Sequence, residues 1–202
     1  GLMFFGFESA GARGVPVYAT KRFGKYLKKN GPWSQLVRLE NIILKELKPR
    51  EPVSLMSDIQ ITALPVPHRQ EFSDVVGFRV NGPTKAALFL PDIDSWEDWD
   101  AENTRIEDEI AAVDYALLDA TFYANGEIPG RDMSGFPHPF VSTSMKRFEP
   151  LPGQEKSKVF FIHMNHTNPL LRPDAEERDV VQNAGYNIAE RRQRFCLSSD
   201  QP

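Results

Sequence analysis

The sequence predicts an α/β fold built on a mixed sheet. Three observations predict it. Apolar runs of strand length, such as Ile59 to Val66, Val75 to Val80 and Ala86 to Leu90, are bounded by Pro, Gly and Asn. Amphipathic stretches of helical length alternate with them. Asn81-Gly82-Pro83 stands between two neighbouring runs as a hairpin turn, which makes part of the sheet antiparallel.

In chain order, residues 2–10 mix large apolar and small residues and end at Gly11 and Gly14, the pattern of a helix with a glycine stop. Pro16 to Thr20 is β-branched and aromatic and reads as a strand. Lys21 to Lys29 is a basic amphipathic helix closed by Asn30-Gly31-Pro32, its charges forming a solvated face. Trp33 to Leu47 reads as a second helix or an irregular segment, and Lys48 to Pro52 as a loop. After the three β runs comes an acidic loop, Asp92 to Asp100, holding Trp96 and Trp99. A helix from Thr104 to Val113 follows, with Thr104 and Glu107 at capping-box spacing. Tyr115 to Leu118 is a short buried strand. Residues 119–140, rich in Gly, Pro and polar groups, form a long loop of the kind that is functional or mobile. Val141 to Phe148 is a helix, Lys158 to Met164 a strand, Ala175 to Ala184 a helix stopped by Gly185, and Tyr186 to Ala189 a last strand. The 202 residues suit a single domain.

With 24 basic and 28 acidic residues the net charge is −4, which disfavours a nucleic-acid partner. No apolar run approaches the length of a membrane span. The single cysteine, Cys196, excludes a disulfide framework and a cysteine-rich zinc site, and fits a cytoplasmic, reducing compartment.

The histidines and several aspartates gather where strands end. His68 follows the run Ile59–Val66; Asp92 and Asp94 follow Ala86–Leu90; Asp119 follows Tyr115–Leu118; His163 ends Lys158–Ile162, with His166 three residues on; His138 sits in the long loop. In α/β sheets that edge collects ligands and catalysts. Neutral imidazole and carboxylate are ligands for Zn, Mn or Fe, and a metal there brings the pKa of bound water to about 7. Taken alone, a histidine at a strand end is an ordinary hydrogen-bonded residue. Convergence from several strands is what favours a site. Glu71 and Asp74 are candidate hydrogen-bond partners of His68, with Arg69 able to pair with either, and Trp96, Trp99, Phe122 and Tyr123 suit core, lid or pocket packing.

Five segments carry a resemblance: Leu64-Pro65-Val66-Pro67-His68-Arg69, Glu71 to Phe78, Leu88-Phe89-Leu90-Pro91-Asp92-Ile93-Asp94, Leu118-Asp119-Ala120-Thr121-Phe122, and Ile162-His163-Met164-Asn165-His166-Thr167-Asn168-Pro169. They resemble successive motifs of the metallo-β-lactamase-fold hydrolases, most of all the branch of the pyrroloquinoline quinone biosynthesis B proteins. Asp-Ala-Thr-Phe, Gly135-Phe136-Pro137-His138-Pro139 and the His163–Pro169 run are the segments most specific to that branch. The resemblance implies a four-layer αββα sandwich with a metal site along one sheet edge. It implies His68, Asp92 and His163 as metal ligands. Asp119 and His138 resemble the acidic and histidine pair that ribonuclease Z-like members use near the scissile group, with His138 as general acid or base and Asp119 orienting it. His166 stands where the branch often has Asn. The family's His-x-His-x-Asp-His signature has no counterpart here. The chain opens Gly1-Leu2 without an initiator methionine, so the expectation is an N-terminally truncated domain starting just after that motif, with apolar surface and strand edges left uncovered.

The expected function is a metal-dependent hydrolase acting on an ester or phosphodiester-like bond of a small-molecule substrate. The expected cofactor is a divalent metal, Zn first, with Mn or Fe as alternatives. Neither nucleic acid nor membrane is an expected partner, and a homodimer stays open. The alternatives are metal-dependent oxidation or hydroxylation in quinone cofactor synthesis, and a non-catalytic binding fragment.

Overall fold

The computed structural model describes residues 1–198. Its elements run β1 (Val15–Ala19), α1 (Lys21–Lys29), α2 (Trp33–Arg38), β2 (Ile42–Glu46), β3 (Pro52–Ser54), β4 (Gln60–Pro65), β5 (Val76–Asn81), β6 (Ala86–Leu90), α3 (Trp96–Ala101), α4 (Ile106–Ala111), β7 (Tyr115–Asp119), α5 (Val141–Arg147), α6 (Gly153–Lys156), β8 (Val159–Ile162), α7 (Glu176–Asn183) and β9 (Asn187–Ile188).

β1 and β2 form a small parallel sheet with α1 and α2 packed on it. β3 to β9 form a seven-stranded sheet in sequence order. β3 to β6 pair antiparallel, and β6 to β9 pair parallel. The hairpin at Asn81-Gly82 joins β5 to β6 as expected, with the Gly82 amide donating to the Lys85 carbonyl at 2.9 Å.

The strand side chains alternate as a pleated sheet requires. Leu64, Leu88, Leu90, Ala116, Leu118, Val159, Phe161 and Ile188 face one core, which Trp96, Trp99, Ile106, Ile110, Val141, Phe148 and Val181 fill from the helix side. The tryptophans are core residues: Trp96 Nε1 donates to Ser144 Oγ and Trp99 Nε1 to the Pro65 carbonyl. On the other sheet face Phe89 is exposed. The C-terminal segment crosses part of that face, with Phe195 packed edge-on against Tyr115 and Phe160.

Four expectations are corrected. The stretch 2–10 holds one 3₁₀ turn, Leu2–Phe5, and no longer helix, because Gly6 is already extended. Trp33 to Leu47 contains both α2 and strand β2, divided at Glu40, whose φ of 54° breaks the helix without a glycine. The acidic loop contains α3, capped by Ser95 Oγ accepting from the Asp98 amide. Thr104 is not a cap; its hydroxyl accepts from Arg50 Nη2. The long loop 120–140 has no helix or strand, yet its own side chains tie it down. Asn125 Oδ1 accepts from the Met133 amide, Glu127 accepts from the Tyr123 amide and from Thr167 Oγ1, and Asp132 accepts from Ser134.

Candidate metal and catalytic site

The site lies at the C-terminal ends of β4, β6, β7 and β8. His68 is three residues past β4, Asp92 two past β6, Asp119 the last residue of β7 and His163 the first past β8. The loops after β4 and β6 are pinned together by the Asp94 amide donating to the Pro67 carbonyl at 2.8 Å. His138 enters from the long loop, packed beside Phe122 and 5.4 Å from the His68 ring.

Asp92 is the centre of the group. Its Oδ1 lies 3.7 Å from His68 Nε2 and 3.6 Å from His163 Nδ1. Asp92, Asp119 and His138 bring ligand atoms within 4.8 Å of one another. All five residues predicted from sequence thus meet at one place. The tightest trio nevertheless joins one expected ligand to the expected acid–base pair.

Asp119 is fully buried and accepts four hydrogen bonds. Oδ2 takes His138 Nδ1–H at 2.7 Å and the Ile93 amide at 3.2 Å; Oδ1 takes the Thr121 amide at 2.8 Å and the Thr121 hydroxyl at 2.7 Å. Both carboxylate oxygens are thus met by donors, with no lysine or arginine among them. Burial by itself would lower the His138 pKa, but the hydrogen bond and charge of Asp119 outweigh it, with Asp92 and Asp94 adding, so the pKa is raised. His138 is therefore suited to carry a proton near neutrality and deliver it from Nε2.

His68 Nδ1 lies 2.8 Å from Asp94 Oδ1. A carboxylate only accepts, so Nδ1 carries a proton, and Nε2 is the ring nitrogen that faces Asp92. Asp94 is the partner that orients His68. Neither Glu71 nor Asp74 plays that part: Glu71 faces Arg69 at 4.0 Å, and Asp74 Oδ1 has no hydrogen-bond partner. Asp94 and Thr121 are the functional neighbours that sequence proximity did not single out. His166 is exposed and faces Asn165 Oδ1 at 3.2 Å, apart from the five.

This donor set fits a divalent metal. Two ligands at about 2.1 Å from one tetrahedral zinc lie ~3.4 Å apart, close to the His68–Asp92 separation of 3.7 Å. His163 is 46% exposed, so the open side of the group is accessible.

The family model described as "Beta-lactamase superfamily domain" matches residues 7–164, and the chain belongs to that family. Two curated relatives that it matches are named coenzyme PQQ synthesis protein B. The one from Gluconobacter oxydans is 27% identical over 132 residues, 62% of this chain and 41% of the relative. The one from Cupriavidus necator is 26% identical over 129 residues, 60% of this chain and 40% of the relative. The chain thus spans about two fifths of the length of the relatives it matches. Among solved structures, zinc-bound PqqB from Methylobacterium extorquens superposes with a TM-score of 0.67 at 18% identity, covering 87% of this chain and 62% of that one. The metallo-β-lactamase fold expected from the motifs is therefore the fold observed. No helix among the described residues is long and apolar enough to cross a membrane.

Proposed function

We propose that the chain carries the working edge of a metal-dependent enzyme of hydrolase type, with His68, Asp92 and His163 holding a divalent metal, zinc first. The observation that supports this most directly is Asp92 Oδ1 3.7 Å from His68 Nε2, the nitrogen that the Asp94 contact leaves free, with the His163 ring beside the same carboxylate. A bound metal there supplies Lewis acidity and an activated water. The chain's own residues do the rest. Asp94 keeps His68 in the tautomer with Nε2 free. Asp119 holds His138 with a proton on Nδ1 and keeps it cationic to higher pH, so that Nε2 can give a proton to a leaving oxygen. Phe122, packed on His138, shields that pair from water. The substrate class consistent with such a pair is an ester or phosphodiester-like small molecule.

The second reading is metal-dependent oxidation in the synthesis of a quinone cofactor. It is favoured by the names of the curated relatives, both coenzyme PQQ synthesis proteins B.

The test is metal content and zinc titration of the purified chain, followed by cleavage of p-nitrophenyl acetate and bis(p-nitrophenyl) phosphate. The expected result is roughly one equivalent of zinc, lost in His68→Ala, with metal-dependent ester cleavage. Iron retained in place of zinc, with no hydrolysis, supports the oxidative reading. No metal in the wild-type chain overturns the metal assignment and supports a non-catalytic binding role.

A further inference from the structure

Thr121 stands two residues past Asp119, beyond the end of β7, between the two halves of the site. Its amide and its hydroxyl both donate to Asp119 Oδ1. A hydroxyl has one proton, and this one is committed to the carboxylate. The same oxygen lies 3.2 Å from His163 Nδ1. Towards the ring it can therefore only accept, and His163 must carry its proton on Nδ1. Asp92 Oδ1 also lies near that nitrogen, but at 3.6 Å it is beyond hydrogen-bond reach.

The backbone around His163 makes this contact matter. His163 has a φ of 62°, in the left-handed region that non-glycine residues seldom occupy, and its ring is half-exposed. Packing thus does little to fix the ring. Among the described residues Thr121 is its one hydrogen-bond partner.

We infer that Thr121 is a positioning residue: it sets the tautomer of His163 and ties that ring, through Asp119, to His138. The hydrogen bonds form one chain. His138 and Thr121 donate to Asp119 from its two oxygens, and His163 donates to Thr121. His68 and His163 then both hold Nδ1–H and leave Nε2 with the lone pair, while His138 holds its Nδ1–H on Asp119. A short hydroxyl between the two sides makes the orientation of one histidine depend on the carboxylate that serves another. The inference rests on the metal reading only where it concerns affinity; the tautomer itself is a property of the metal-free chain.

The experiment is long-range ¹H–¹⁵N spectroscopy of metal-free protein labelled at histidine nitrogen, at about pH 8.5 where ordinary imidazole is neutral. Wild type is expected to show His163 with Nδ1 protonated. Thr121→Val, which keeps the shape and removes the hydroxyl, is expected to move His163 to the Nε2-protonated form and to weaken zinc binding roughly 10- to 100-fold. Thr121→Ser is expected to keep the wild-type tautomer and affinity. A wild-type His163 protonated on Nε2 overturns the inference, and so does a Val variant with an unchanged His163. If the Val variant does not fold, the wild-type spectrum still decides. Failure of wild type to bind zinc, with Nδ1–H present on His163, refutes the metal reading and leaves the role of Thr121 supported.

Discussion

Replacing Asp119 with asparagine changes a single atom in shape but should unsettle the whole site. The carboxylate accepts from four donors, two on each oxygen. An amide offers one oxygen and one NH₂. If the NH₂ takes the Oδ2 position, it meets the Ile93 amide and His138 Nδ1–H. His138 can yield by moving its proton to Nε2, but the Ile93 amide cannot. If the NH₂ takes the Oδ1 position, the Thr121 hydroxyl can rotate to accept, but the Thr121 amide cannot. Either way one buried backbone N–H loses its acceptor, a cost of about 1–3 kcal/mol, and the remaining bonds lose their charged acceptor. Removing a buried charge returns part of this. The balance is a loss of about 2 kcal/mol, a fall in Tm of about 4–8 °C for a chain of this size. Thermal unfolding followed by circular dichroism measures it. A variant as stable as wild type within about 1 °C would refute the account of Asp119 as a carboxylate held by four donors.

Two further outcomes follow from the packing. A Cβ added at Gly77 would lie 2.8 Å from Leu90 Cδ1 and 3.1 Å from the Phe89 carbonyl. Because Leu90 is fully buried and cannot swing away, Gly77→Ala should cost about 1–3 kcal/mol in urea unfolding, and a neutral result would show that the β5–β6 pair is looser than described. Arg147 joins α5 to α3 and α4 through Asp100 and both oxygens of Glu107. Burial by itself would raise the Glu107 pKa, but the Arg147 hydrogen bonds prevail and hold it below the usual range. A carboxyl with a lowered folded pKa stabilises above its unfolded pKa, and that stabilisation is lost as pH falls through the folded value. Arg147→Ala should therefore cost about 1–2 kcal/mol near neutrality, with the gap to wild type closing below about pH 4 in parallel urea titrations. A gap independent of pH would assign the loss to packing of the arginine stem.

β4, β5 and β6 were legible because each is a short apolar run followed by a breaker: Pro67 after β4, Gly82-Pro83 after β5, Pro91 after β6. β2 was not, because Leu36 to Leu44 carries no glycine or proline, and the break falls at Glu40 in a conformation sequence rarely assigns to glutamate. α3 was hidden by its acidity, although Ser95 with Asp98 three residues on was the cap signal. Four of the site's five histidines and aspartates were legible because they stand at strand ends, and His138 by its Gly135–Pro139 motif in the long loop. The partner of His68 was not, because nearness in sequence favoured Glu71 and Asp74. The Pro67–Asp94 backbone bond instead brings in a carboxylate from the loop after β6, two strands away in the sheet.

The change from antiparallel to parallel pairing at β6 also orders the assembly of the molecule. β4, β5 and β6 meet through short connections and can form early, since little loop entropy opposes them. β7 and β8 join only after longer excursions through α3 and α4 and through the loop 120–140 with α5 and α6. His68 belongs to the early half and His163 to the late half, with Asp92 at the seam. The cluster around Asp92 is thus absent from any partly folded form that holds only one half, and it needs both halves of the sheet in place.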